Sequence, residues 1–324
     1  MLLQRIFFAA LFATASIFTS SAQPVNTQPL PQLTLADPTV FYWQGKYYAF
    51  GTSGSNSNNG IPVYESGDLM HWKPIITNDG FALKKGDGFG TKGFWAPQVF
   101  YQDNLFYLAY TANENIAIAT SSNPYGPFMQ PNKVALPASV KQIDPFIFID
   151  DDGKKYLYHV RLTNGNRIFG AELKNDFSGV VDSTLVECIA ASDHWENTGD
   201  SSWPVTEGPT VLKRGKKYYM FYSANDFRNP NYAVGMATSK HPLGPWVKFK
   251  GNPVLSSKQT GQNGTGHGDF FKAADGKWFY IFHAHQSSEK VAPRKTMLLQ
   301  AAFSKRGMKF HQPVLVPLIS DKEQ

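Results

Sequence analysis

Residues 37–53 read DPTVFYWQGKYYAFGTS: an Asp-Pro pair, a β-branched and aromatic run, a Gly turn and a second aromatic run. Short Val-, Phe-, Tyr- and Trp-rich runs on either side of a Gly turn predict a pair of strands. The pattern returns four times. Ala96 opens APQVFYQDNLFYLAYTA, Asp144 opens DPFIFIDDDGKKYLYHV, Gly208 opens GPTVLKRGKKYYMFYSA and His267 opens HGDFFKAADGKWFYIFHAH. Successive starts lie 48 to 64 residues apart.

Further strands follow each copy, read from IPVYESGDLMHW, NIAIATSSNPYGPF, NRIFGAELKNDF, NYAVGMATSKHPLGPW and KTMLLQAAFSKRGMKF. Each unit ends in Gly-, Pro- or Asp-rich turn chemistry, and long helical periodicity is missing. Repeated units of this length predict an all-β, five-bladed β-propeller with four-stranded antiparallel blades. A β-sandwich would not repeat five times in register.

In a propeller the first strand of every blade lines the central channel, and all first strands run the same way. The repeat heads, Asp37, Ala96, Asp144, Gly208 and His267, should therefore gather at one mouth. The residues before them are Ala36, Trp95, Ile143, Glu207 and Gly266. Three carboxylates, one His and one Trp are thus expected to converge from distant parts of the chain.

The composition fits a globular protein, with 42% hydrophobic and 17% charged residues among 324. The N-terminus reads MLLQRIFFAALFATASIFTSSAQ, a charge, an apolar run and small residues. That is the pattern of a secretory signal peptide over residues 1–22, leaving 23–324 as a single propeller domain in the periplasm or outside the cell. The apolar run is short for a membrane span. Cys188 is the only cysteine, which excludes an intrachain disulfide and a Cys-based metal site. The net charge of +6 is scattered, with no basic block, which argues against a nucleic-acid partner. A monomer with no membrane span is expected.

Two carboxylates flanking a glycosidic bond are the equipment of sugar hydrolysis: one protonates the leaving oxygen, the other activates water or attacks. A third acid nearby can keep one of them protonated by like-charge repulsion. LADPTVF, FWAPQV, QIDPFIF, TEGPTVL and GTGHGDFF, in this order, resemble the signature blocks of glycoside hydrolase family 43. The likeness covers essentially the whole expected mature chain. It implies a five-bladed propeller and an inverting enzyme acting on arabinose- and xylose-containing plant glycans. It also implies Asp37 as general base, Glu207 as general acid and Asp144 as the residue that raises the pKa of Glu207 and orients it. His267 matches a channel histidine that contacts Ca²⁺ or Na⁺ directly or through water; the chemistry itself requires no cofactor. Arg294, in APRKTMLL, matches an arginine near the acids and the sugar.

Trp95 and Phe41 are further candidates for sugar contact. His283 and His285, on one strand face, could join His267 in a transition-metal site. Each acid also has a plain reading, because Asp-Pro and Glu-Gly-Pro open ordinary turns. The segments GTSGSNSNNG, KKGDGFGTKG and SDHWENTGDSSW should rim the mouth and shape the leaving-group site.

The readings left open are exo-acting α-L-arabinofuranosidase, β-xylosidase, an endo-acting arabinanase or xylanase, and another propeller glycosidase such as an exo-galactosidase. An invertase-type fructan hydrolase is disfavoured, since its Asn-Asp-Pro-Asn, Arg-Asp-Pro and Glu-Cys blocks are absent. Outside catalysis, the alternative is a glycan-binding propeller without activity.

Overall fold

The structure, a computed structural model, describes residues 31–54, 56–304 and 307–316; the expected signal peptide lies outside them. Five antiparallel sheets follow one another along the chain. Their inner strands are Leu35–Trp43, Trp95–Gln102, Gln142–Ile149, Thr206–Arg214 and Gly266–Lys272. Each pairs with the strand that follows it: Lys46–Ser53, Leu105–Ala112, Lys155–Leu162, Lys217–Ala224 and Trp278–Ala284. The third strands are Gly60–Ser66, Asn115–Ser121, Asn166–Leu173, Ala233–Ser239 and Lys295–Ser304. The five-bladed propeller expected from the repeats is present.

Strand number departs from a uniform four. Blades 3 and 4 have four strands, blade 2 has three, and blades 1 and 5 each gain a fifth that pairs with the third strand. Pro124 and Pro127 follow the third strand of blade 2 as Pro242 and Pro245 follow that of blade 4, yet blade 2 pairs less. Only an isolated bridge, Thr120 to Met129, remains there.

The second strands read as nearly continuous apolar runs because both of their faces are buried. Successive residues point to opposite sides, so Leu108 packs with Phe50, Phe94 and Tyr110 between blades 1 and 2, and Ala109 with Ile147 and Leu157 between blades 2 and 3. Met220 and Tyr222 face blade 3, whereas Phe221 packs on Phe270 and Phe282 of blade 5. Leu35, Ala49, Phe271, Ile281 and Leu298 fill the last junction, between blades 5 and 1. Burying each large side chain contributes about 1.5–3 kcal/mol. The ring is closed by hydrogen bonds: the Leu33 N–H donates to the Val316 carbonyl at 2.9 Å, and the Thr296 N–H to the Leu33 carbonyl at 3.0 Å. The Leu35 N–H donates to Thr296 Oγ1 at 2.8 Å. Cys188 is half-buried against the cluster between blades 3 and 4.

The register shifts once at the head of every inner strand, between Ala36 and Thr39 in blade 1 and at the matching place in the others. At these bulges Asp37, Ala96, Asp144, Gly208 and His267 all have positive φ, from 42° to 57°. A bulge re-aims the side chain and frees backbone groups from the ladder. The residue after the head is Pro in blades 1–4, which has no N–H to leave unpaired.

The head residues' own N–H groups are taken by a polar column on the second strand of the preceding blade. Thr52 accepts from Ala96 at 3.0 Å, Thr111 from Asp144 at 3.0 Å, Ser223 from His267 at 2.8 Å and His283 from Asp37 at 3.1 Å. Blade 3 breaks the column, because the matching residue is Val160, the partner of Ile143. The Gly208 N–H donates instead to Asp144 Oδ2 at 3.2 Å. Gly208 is required there: at φ 56° a Cβ would stand 2.6 Å from the His267 ring.

Thr111→Val keeps the shape but strands the Asp144 N–H without an acceptor. We expect it to lower unfolding stability by about 1–3 kcal/mol, measured by urea denaturation. A midpoint equal to that of the unaltered protein would show that the column does not hold the bulges.

Candidate active site

The bulges bring Asp37, Trp95, Asp144, Glu207 and His267 to the wall of one cavity of about 390 Å³, together with Arg294. Thr52, Ser53, Ile143, Asn166, Asp226 and Phe227 complete most of the lining. The volume lies within the roughly 300–1,000 Å³ range of small-ligand pockets. Below it the channel narrows to a space of about 30 Å³ lined by Thr39, Gln98, Asp269 and the undersides of the head residues. There Thr39 and Thr210 each donate a 2.7 Å hydrogen bond to Asp269, tying blades 1, 4 and 5 together.

Asp37 is ringed by polar partners, and its own N–H is taken by His283 Nδ1. Arg294 NH1 donates to its Oδ1 at 2.9 Å, and Thr52 Oγ1 donates to its Oδ2 at 2.6 Å. His267 Nδ1 and His283 Nδ1 each lie 3.3 Å from Oδ1. Burial pushes this carboxyl up, but Arg294 first and then His267 outweigh it and hold Asp37 well below its ordinary value of 3.8. It is an anion over the whole working range of pH. His283 itself stays neutral, since burial and then Arg294 push it down to about 3.

Glu207 sits in the opposite environment. Burial is the largest influence and the Asp37 charge adds to it, raising Glu207 to about 7. The Tyr232 hydroxyl donates to its Oε1 at 2.9 Å and Asn166 Nδ2 donates to its Oε2 at 3.1 Å, which limits the rise. Asp144 is raised well above 3.8 by burial, then by Glu207 and Asp37. The two raised acids and His267 each offer a ligand atom within 4.8 Å of the others. One cavity therefore holds a fixed carboxylate and a proton-retaining acid pair. That is the arrangement needed to remove a proton at one point and deliver one at another.

His267 reaches Asp37 at 3.3 Å and Asp144 at 3.8 Å through Nδ1. Two carboxylates and one imidazole are few donors for Ca²⁺, which takes six to eight oxygens. These side chains do not by themselves compose a calcium site, and a channel ion would have to be held mostly by water with His267 as a protein contact. The three-histidine site is not formed: His283 turns to Asp37, and His285 Nε2 lies 2.8 Å from the Phe227 carbonyl.

Arg294 stands beside Asp37 rather than between the two acids, with its guanidinium over the Phe227 ring at 4.6 Å. Trp95 lines the cavity as expected. Phe41 does not: its ring stacks on Trp43 and meets Phe106 edge-on between blades 1 and 2. Four residues below the bulge the strand has left the mouth, and its alternation turns Phe41 to the blade interface.

Sequence reading missed His283 as a partner of Asp37, and missed Asn166 and Tyr232 as partners of Glu207. The polar column Thr52, Thr111, Ser223, His283 was a signal for the first. Nothing in sequence marks Tyr232, which stacks on His283 at 5.7 Å and so links the surroundings of Asp37 and Glu207.

The profile of "Glycosyl hydrolases family 43" matches residues 26–308. The chain is 31% identical over 281 residues to a non-reducing end α-L-arabinofuranosidase of Bacteroides ovatus, covering 81% of this chain and 48% of that protein. It is 27% identical over 268 residues to a xylan 1,3-β-xylosidase of a Vibrio species, covering 75% and 46%. The chain thus spans about half the length of these curated relatives. A solved structure titled endo-1,4-β-xylanase from Bacteroides thetaiotaomicron is 42% identical, with a TM-score of 0.82, covering 89% of this chain and 98% of that one.

Carboxyl-selective NMR titration tests the electrostatics without any substrate. Glu207 is expected to titrate near 7 and Asp37 to remain ionised below 3.8. Arg294→Leu should move Asp37 upward. An Asp37 midpoint unaffected by that change would remove Arg294 as its main counter-charge.

Proposed function

This chain belongs to glycosyl hydrolases family 43, and from that premise we propose that it is an exported, inverting glycoside hydrolase. It removes terminal arabinofuranosyl or xylosyl residues from plant cell-wall glycans, α-L-arabinofuranosides first and β-xylosides second. The observation that carries the reading is the pair of opposite environments in one cavity: Asp37 held ionised by Arg294, and Glu207 held protonated by burial.

In this mechanism Asp37 takes a proton from water, and the oxygen of that water attacks the anomeric carbon from the face opposite the leaving group. Glu207 gives its proton to the glycosidic oxygen as the C–O bond breaks. Inversion requires the two carboxyl groups to stand about 6.5–9.5 Å apart, leaving room for the water. Asp144, close to Glu207, forms with it the buried acid pair and, by accepting the Gly208 N–H, fixes the backbone that presents the acid. Arg294 binds sugar hydroxyls with the donors not used by Asp37, and Trp95 offers a ring to the sugar. No step runs through a metal; His267 would be the protein contact of a Ca²⁺ or Na⁺ in the channel. The protein is expected to act as a monomer. Among the described residues no helix is long and apolar enough to cross a membrane.

A cavity of about 390 Å³ that holds all three acids in its wall suits a terminal sugar. The endo-acting reading is favoured by the printed name of the xylanase structure. Digestion of arabinan, arabinoxylan and xylan with products resolved by size decides between them. Monosaccharide alone from the first minutes is expected; a ladder of oligomers would replace the exo reading with the endo one.

Asp37→Asn and Glu207→Gln should each lower kcat by about 10²–10⁴-fold. Equal, background-level rates for the wild type and Asp37→Asn across arabinofuranosides and xylosides would leave a glycan-binding propeller. Activity needs Glu207 protonated, so the rate should fall as pH rises through about 7. Its acid limb should not come from Asp37 above pH 3.8. Proton NMR of the first product anomer should show inverted configuration, and retention would overturn the mechanism. Treatment with a chelator should leave kcat unchanged.

A further inference from the structure

Trp203 is 47% exposed, leaving part of a large, rigid aromatic ring open to solvent. It is not loosely placed. Its Nε1–H donates to Asn166 Oδ1 at 2.9 Å, and Asn166 Nδ2 donates in turn to Glu207 Oε2 at 3.1 Å. An exposed aromatic bonded to the cavity-lining Asn166 is therefore two hydrogen bonds from the acid.

The segment that carries Trp203 rests on a buried base. Glu196, fully buried, accepts the N–H groups of Ser192 and Asp193, the Tyr222 hydroxyl and the Lys248 ammonium. Asn225 accepts from the Thr198 N–H and hydroxyl and donates to the Trp195 carbonyl. Closer to the indole, Ser201 is bonded to Asn197, and its hydroxyl meets the Trp203 backbone at 3.1 and 3.2 Å.

Asn166 is equally fixed. Its N–H donates to the Pro204 carbonyl at 2.9 Å, and its carbonyl accepts from Thr206 Oγ1 at 3.1 Å. Gly165, at φ 116°, allows this approach, since a Cβ would stand 2.5 Å from the Pro204 oxygen. So much fixed structure around one exposed ring indicates a surface held in shape for a ligand.

We propose that Trp203 is the platform of a leaving-group subsite, stacking on the C–H face of the sugar ring that departs, and that Asn166 is the positioning residue joining this subsite to Glu207. The inference rests on the glycosidase reading above. It goes further in saying where the rest of the glycan lies. The ring belongs to the leaving group because Trp203 connects to the residue that protonates the leaving oxygen. The Asp37 side of the cavity is formed by other residues, Arg294, Thr52 and His283. The ligand class is a neutral sugar ring, whose apolar face suits an indole and whose hydroxyls remain in water.

The test compares two substrates that share the released sugar. One is an arabino- or xylo-oligosaccharide, whose leaving group is a sugar ring. The other is the glycosyl fluoride of the same sugar, whose leaving group has no ring and needs no protonation. Trp203→Ala should lower kcat/KM on the oligosaccharide by about 10-fold, mainly through KM, and change it by less than about twofold on the fluoride. Trp203→Phe keeps a ring and should recover most of the KM while kcat stays reduced, because Asn166 loses its tether. Equal losses on both substrates would reduce Trp203 to a structural residue, and no loss on the oligosaccharide would remove the subsite. Full recovery of kcat in Trp203→Phe would overturn the role of Asn166. A wild-type protein inert on both substrates is a different pattern, and it would overturn the glycosidase reading and the subsite with it.

Discussion

At the head of every inner strand one residue is held at positive φ, and in four blades of five that residue carries a Cβ. Such a conformation costs about 1–3 kcal/mol at each position and persists only where its surroundings enforce it. The enforcement comes from the neighbouring blade. Thr52, Thr111, Ser223 and His283 each take the head residue's N–H, and each of them lies on the second strand of the blade before. The bulge that aims a side chain into the mouth is thus also a joint between blades. Strain at the site is held by the packing of the whole ring.

The same device yields different chemistry because the ring is not symmetric. Asp37 and Asp144 occupy equivalent positions, yet one is driven to the anion and the other toward the neutral acid. Asp37 faces Arg294 and two imidazoles. Asp144 faces Glu207 and Asp37, with one backbone N–H in compensation. The break in the polar column at Val160 matters here, because it diverts the Gly208 N–H to the Asp144 carboxylate. A departure from the repeat thereby becomes part of the site.

Much of this was legible beforehand. Five copies of a strand pair, each opened by a turn, sufficed for the propeller and for the convergence of Asp37, Trp95, Asp144, Glu207 and His267. Such inference works because blade geometry converts equal positions in a repeat into neighbours in space. It failed for Phe41, where distance along the strand was overlooked. It also failed for strand number in blades 1, 2 and 5, where the outermost segments lie outside the repeated strand pair. Asn166 opens the third strand of blade 3 and Tyr232 stands just before that of blade 4, outside the repeated strand pair, so no alignment of the repeats could single them out.

The amino-acid sequence by itself determined the blade count, the identity of the residues at the mouth and the spacing that unites them, because these follow from local pattern repeated along the chain. The tertiary structure alone decided which acid keeps its proton. That difference arises from burial and from partners such as His283 and Arg294, which lie 246 and 257 residues from Asp37. Electrostatic influence depends on distance in space and on exclusion of water, neither of which is written in the order of residues.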